Sequence, residues 1–227
     1  PNGVGILIAA SSDQTVGGPE GRGNVIAGNR GAGVLIVSAT PGDSVDDAIV
    51  GNWIGTDRAG TPGIGNGREG VVFQGAVRGR IEGNVVSGNQ ASGIVLNQGA
   101  AGNQVIGNVV GLAPDGLSPL GNRRDGVVID DAPGNTIGGR GAQANQISAN
   151  GGSGVRARAG STGLVILGNW IGVDPTGLIR LGNQGDGVTL ATSDATVGGP
   201  DRLDGNTIAF NGQGTTGAGV QLVGLVH

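Results

Sequence analysis

The sequence predicts an all-β solenoid of short parallel strands. Three observations lead there: a super-repeat of about sixty residues, glycine–asparagine corners that recur through it, and no apolar stripe of helical length. The stretch GNWIGTDRAGTPGIGN, Gly51 to Asn66, returns at equal length as GNVVGLAPDGLSPLGN from Gly107 to Asn122 and as GNWIGVDPTGLIRLGN from Gly168 to Asn183. A second module alternates with it. It reads NVIAGN at Asn24, NVVSGN at Asn84, NQISAN at Asn145 and NTIAFN at Asn206, separated by 60, 61 and 61 residues.

Between these markers lie short runs that begin after glycine: GVLIV at Gly33, GVVF at Gly70, GIVL at Gly93, GVVI at Gly126, GVRA at Gly154, GVTL at Gly187 and GVQL at Gly219. Further short runs, QTVGG, NTIGG and ATVGG, sit among them. All are rich in Val and Ile and bounded by Gly, Asn, Pro or Asp, which is the pattern of strands and turns. Strands this short, with sharp corners between them, satisfy their backbone groups by stacking parallel on the equivalent strand one coil away. From Val34 to Val220 six such steps cover 186 residues, or 31 per step. The reading is therefore a parallel β-helix of seven to eight coils, two per super-repeat, about 35 to 40 Å long at the spacing of stacked strands.

The corners carry the repeated chemistry. Of the 18 asparagines, 13 directly follow glycine, and both residue types tolerate the left-handed backbone of a sharp corner. Asn52, Asn66, Asn108, Asn122, Asn169 and Asn183 are the structural corners of the three long copies, and stacking them coil on coil predicts ladders of side-chain amides. Ile54 and Ile64, with their counterparts, are expected to pack the stack.

Composition narrows the chemistry. The chain of 227 residues has 52 glycines but no cysteine, methionine or tyrosine, all 13 of its basic residues are arginine, and its one histidine is His227. Cysteine nucleophiles and thiolate metal sites are excluded by count. A net charge of −4 argues against a nucleic-acid partner. No apolar run reaches the roughly 20 residues of a membrane-spanning helix. His227 is expected to be a disordered end or a tag remnant.

On these modules the sequence resembles the right-handed parallel β-helix repeat proteins of the pectate-lyase-like superfamily, most closely the GN-x-IG-TD repeat arrays of large bacterial surface and secreted proteins. The resemblance implies a right-handed solenoid over residues 1–227, a single segment of a longer array. It leaves function open, since that fold hosts lyases, hydrolases, epimerases, spikes and adhesins.

Comparing the three long copies separates scaffold from chemistry. Their glycines, asparagines and aliphatics persist, whereas Asp57 becomes Ala113 and then Asp174, with Asp115 displaced by two places in the middle copy. One movable acid per loop falls short of the six to eight oxygens of a calcium site, so these acids are expected to cap turns, and calcium is a weakly supported cofactor in a chain otherwise expected to need none. Trp53 and Trp170 are candidate platforms for sugar rings, four coils or roughly 19 Å apart. Asp57 and Asp174 join them as candidate ligand-binding residues. Glu69, Asp125 and Asp186 form an acidic column two coils apart, read as corner residues. The best candidate catalytic cluster is Asp125 with Asp130 or Asp131 and Arg123 or Arg124. The pair Asp46 and Asp47 supplies converging carboxylates only from a loop. Arg78 with Arg80, and Arg156 with Arg158, are expected to alternate on a strand face where they would meet an acidic sugar.

These residues favour a structural or adhesive segment of an extracellular or cell-surface protein, stacking on flanking repeats or on copies of itself. The alternatives are a carbohydrate-active enzyme of the same fold (lyase, epimerase or hydrolase) and a non-catalytic carbohydrate-binding spike.

Overall fold

The computed structural model describes residues 1–19, 21–213 and 217–224. His227 lies outside the described residues. The strands fall into three parallel sheets, each running the length of the stack. The first holds the glycine-initiated strands Ile6–Ala9, Val34–Val37, Val71–Gln74, Ile94–Asn97, Val127–Asp130, Val155–Ala157, Val188–Leu190 and Val220–Leu222. The second holds Thr15–Gly17, Ala48–Val50, Arg80–Glu82, Gln104–Ile106, Thr136–Gly138, Val165–Leu167 and Thr196–Val197. The third holds the two-residue strands Val25–Ile26, Trp53–Ile54, Val85–Val86, Val109–Val110, Gln146–Ile147, Trp170–Ile171 and Thr207–Ile208. The chain visits the three sheets in turn and returns to the first one coil later, so the protein is a right-handed parallel β-helix.

Strand periodicity builds the core. In the first sheet Ile36, Phe73, Leu96 and Ile129 stack in register, facing inward and wholly buried. Ile49, Ile81, Val105, Ile137 and Ile166 form the second inward column. Ile54, Val86, Val110, Ile147 and Ile171 form the third. Fully burying each such side chain contributes roughly 2 to 3 kcal/mol. Ile64 is only half-buried, while its counterpart Leu181 is buried.

Two amide ladders run up the corners. In the first, Asn24, Asn52, Asn84, Asn108, Asn145, Asn169 and Asn206 follow one another, each side-chain Nδ2 donating to the Oδ1 of the next. The backbone N–H of each donates to the same oxygen. The second ladder passes through Asn29, Asn66, Asn89, Asn122, Asn150, Asn183 and Asn211 in the same way. Both modules of the super-repeat thus feed the same two ladders. They differ only in the segment between the third sheet and the second ladder, which is tight in NVIAGN-type coils and extruded in GNWIG-type coils. Antiparallel bridges Leu112–Pro119 and Val173–Arg180 make the extruded segment a small hairpin in the second and third copies. Coil length varies with this segment and with the connection between the first and second sheets, longer after Val34–Val37 than after Val71–Gln74, so that second-ladder asparagines lie 37 residues apart at Asn29–Asn66 and 23 at Asn66–Asn89.

A third corner joins the first sheet to the second. Asp13, Asp46, Arg78 and Asp194 occupy it with φ of 55° to 59°. Arg78 therefore does not alternate with Arg80 along a strand: it turns the corner, and its guanidinium pairs with Asp46 at 3.1 Å. Asp46 and Asp47 are likewise corner residues, one exposed and one buried.

Candidate functional site

The acids of the extruded loops are turn caps. Asp57 Oδ1 accepts from the N–H groups of Ala59 and Thr61, and its Oδ2 from the Thr61 hydroxyl at 2.7 Å. Asp115, two places later, does the same with Leu117 and Ser118. Asp174 accepts from the Thr176 hydroxyl at 2.6 Å and from the N–H groups of Thr176, Leu178 and Ile179. Donors aimed at a carboxylate favour its charged form. The N–H and hydroxyl of Thr61 hold Asp57 below its ordinary value, and the Ser118 hydroxyl and N–H do so for Asp115. At Asp174 the Thr176 hydroxyl, with the loop N–H groups, lowers it to about 2. Asp57 and Asp115 each accept three hydrogen bonds from their own loop and Asp174 accepts four, so most of the roughly four lone-pair sites of each carboxylate are used within the turn.

The candidate catalytic cluster does not assemble as the sequence suggests. Asp125 precedes the strand Val127–Asp130 and Asp130 ends it, so the strand holds them apart. Asp125 Oδ1 accepts from Ser153 N–H at 2.7 Å and pairs with Arg156 at 3.1 Å. Asp130 pairs with Arg158 at 3.0 Å, and Asp131 turns the next corner with φ of 51°. The partners are thus the arginines of the following coil. Among the described residues Arg123 and Arg124 form no ion pair with these acids. The acidic column is a set of corner residues: the carbonyls of Glu69, Asp125 and Asp186 accept from Gly33, Gly93 and Gly154, each one coil earlier. Arg156 also donates to the Ser153 hydroxyl, which lies 3.0 Å from that of Thr189, and Thr189 donates to Asp186. Asp125, Asp130 and Asp186 are thus each held by neighbouring groups.

Trp53 is different. It stands outward on the third sheet in one column with Val25, Val85, Val109, Gln146 and Trp170, which confirms four coils between the two indoles. Arg58 lies over its ring at 4.7 Å and anchors itself on the Gly21 carbonyl. Beside Trp53 opens a cleft of about 560 Å³, lined by Thr15, Pro19, Val50, Arg80 and Glu82 among others. Arg80 and Glu82 form an exposed ion pair at 3.0 Å. An aromatic wall with a small charged and hydroxyl-bearing rim is the composition of a small-ligand site. Sequence reasoning reached Trp53, and reached Arg80 as a partner of Arg78 on a face for acidic sugars, but it did not bring the two together and missed Thr15 and Glu82. Only the strand register, Thr15 on Ala48 on Arg80, gathers residues so distant in the chain.

The family described as periplasmic copper-binding protein (NosD) matches residues 63–174. Crystal structures of the periplasmic alginate epimerase AlgG are similar over 97% of this chain, with a TM-score of 0.64 and 20% identity. A single-residue variant of that epimerase gives a TM-score of 0.65 and 18% identity over the same share. The chain spans 46% to 48% of these structures. This likeness shows the fold. No curated protein sequence matches the chain. Copper fits the residues poorly: the chain has no Cys or Met and one His, so the soft and imidazole donors that select copper are almost wholly missing. Among the described residues no three His, Cys, Asp or Glu side chains converge to hold a metal ion.

Proposed function

We propose that this chain is the β-helical body of an extracytoplasmic carbohydrate-active protein, of the polysaccharide epimerase and lyase class, and that it holds polysaccharide in the cleft beside Trp53. The observation that carries the reading is the cleft itself, where a half-buried indole stands beside the Arg80–Glu82 pair. A pyranose ring stacks its C–H face on an indole and presents hydroxyls or a carboxylate to flanking polar groups. Arg80 suits an acidic sugar, because its planar fork can grip a carboxylate with two bonds. The fold likeness to an alginate epimerase supports the same class, and both comparisons name periplasmic proteins. Asp57, Asp115 and Asp174 are committed to turns and Asp125 and Asp130 to ion pairs, so the role proposed for this segment is substrate binding.

A titration with uronic-acid and neutral oligosaccharides, followed by calorimetry and tryptophan emission, tests this reading. Binding of uronans that Trp53→Ala weakens at least tenfold supports it. No binding by the intact chain overturns it. Proton NMR of the incubated polysaccharide reports whether sugar is also epimerised or cleaved.

A second reading, a structural or adhesive rod that stacks on further repeats or on copies of itself, is favoured by one specific observation. What recurs in every coil is corner amides and core aliphatics, which are assembly features.

A further inference from the structure

The corner between the first and second sheets contains its own short ladder, and one member of it is an acid. Asn135 Oδ1 accepts from the N–H of Asn103 at 2.7 Å and from its Nδ2 at 3.0 Å, while Asn103 Oδ1 accepts from Gly79 N–H at 2.8 Å. The amide nitrogens also donate to main-chain carbonyls. Asn103 Nδ2 donates to Ala76 at 3.0 Å, and Asn135 Nδ2 to Ala100 at 2.8 Å and Ala132 at 2.9 Å.

Asp47 occupies the same place two coils before Asn103. Its strand follows at once, Ala48 pairing with Arg80 as Arg80 pairs with Gln104 and Gln104 with Thr136. A bridge between Val45 and Val77 fixes the alignment of the corner itself. Asp47 Oδ1 accepts from Gln14 N–H at 2.9 Å, as the asparagine Oδ1 atoms accept from the preceding coil. Its Oδ2 stands where the others carry Nδ2. By that alignment the carbonyls of Ser11 and Ser44 stand where those of Ala100 and Ala132 surround Asn135. The side chain is 1% exposed, and Oδ2 has no hydrogen-bond partner among the described residues.

A charged oxygen in a site built for a donor would face acceptors without a proton between them. We propose that Asp47 is carried as the neutral carboxylic acid, its Oδ2–H replacing the asparagine amide hydrogens of this ladder, and that the corner joining the first two coils loosens when the proton leaves. The charged surroundings agree. Asp13 and Asp46 are the acids nearest by, Arg78 is engaged by Asp46, and Arg80 is engaged by Glu82. Burial first, then the neighbouring carboxylates, push Asp47 above its ordinary 3.8, against the lowering effect of the Gln14 N–H. With the folded value raised, the stabilisation is complete below 3.8 and is lost as pH climbs through the folded value.

The test compares the intact chain with Asp47→Asn and Asp47→Ser. The Asp47 carboxyl is followed by carbon NMR titration, and protection of the Gln14 and Ala48 amides by hydrogen exchange, corrected for the intrinsic rate at each pH. The expected result is a carboxyl that titrates well above the ordinary carboxylate value of about 4. Gln14 protection then falls at least tenfold as the proton leaves. In Asp47→Asn protection matches the acidic wild type and stays flat with pH, while Asp47→Ser loses it throughout. A carboxyl titrating at the ordinary value, or an asparagine variant less protected than wild type near neutrality, overturns the proposal.

Discussion

Asn108 and Asn145 sit one coil apart, and the Oδ1 of Asn145 receives both the backbone N–H of Asn108, at 2.9 Å, and its Nδ2, at 3.0 Å. The same Nδ2 also faces the carbonyls of Ile81 and Ile106 at 2.8 and 3.0 Å. Both side chains are essentially inaccessible to water. Replacing Asn108 by Asp removes both side-chain hydrogens that serve these acceptors, leaving only backbone donors, and buries a charge. We expect Asn108→Asp to cost about 3 kcal/mol or more near neutral pH, and Asn108→Ala about 2 kcal/mol, measured by denaturant unfolding. Asn24 stands exposed at the first rung, and Asn24→Ala should cost under about 1 kcal/mol. Equal losses at the two positions would show that the ladder does not act through burial.

Gly55 and Gly63 share the same loop and nearly the same left-handed backbone, φ of 85° and 82°. A methyl group on Gly63 would meet open space, whereas one on Gly55 would collide with the Ser87 carbonyl and the amide of Asn89. Gly63→Ala should therefore cost only the conformational penalty, about 1 to 2 kcal/mol. Gly55→Ala should cost about 4 kcal/mol or more, because it forces two coils apart. Thermal unfolding of the two variants checks the difference.

Asp174 makes the extruded loop of the third copy acid-sensitive. Its carboxyl is lowered to about 2 in the fold from an ordinary 3.8, so its contribution is present above 3.8 and lost as pH falls through about 2. Exchange protection of the Leu178 and Ile179 amides, which donate to it, should fall across that interval in wild type. In Asp174→Asn the same protection should be low and independent of pH over this range.

The two tryptophans offer a direct comparison in sugar binding. Trp53 has the cleft with Arg80 and Glu82, while Trp170 stands four coils away with Gln146 and Thr207 beside it in the sheet. Trp53→Ala should weaken uronan binding at least tenfold and Trp170→Phe less than about twofold, read by calorimetry. Arg80→Gln should weaken binding of acidic sugars more than of neutral ones, because the lost group is a charge.

Much of the scaffold was legible because its determinants are local and repeated. The amide ladders follow from Gly-Asn at fixed places in each module, and the turn-capping role of Asp57, Asp115 and Asp174 follows from a hydroxyl residue two to four places later. The cluster around Asp125 was misjudged because its nearest arginines in sequence, Arg123 and Arg124, are not its nearest in space. Coil stacking brings Arg156 there instead, 31 residues on. Asp47 stood out only as half of the adjacent pair with Asp46, and nothing in the sequence marked it as the buried member, since an acid in a corner ladder reads like any acid in a turn.

What the sequence by itself determined is the coil: short β-branched strands, left-handed corners and a core of aliphatics, all properties of a residue and its near neighbours. Only the tertiary structure decided which side chains meet between coils. Loop lengths shift the spacing of matched positions from 23 to 37 residues, so no fixed period in the chain maps onto contact in space. The Trp53 cleft and the buried Asp47 oxygen both belong to that second kind. Each depends on the register in which one coil settles on the next, which is set by hydrogen bonds between strands far apart in the chain.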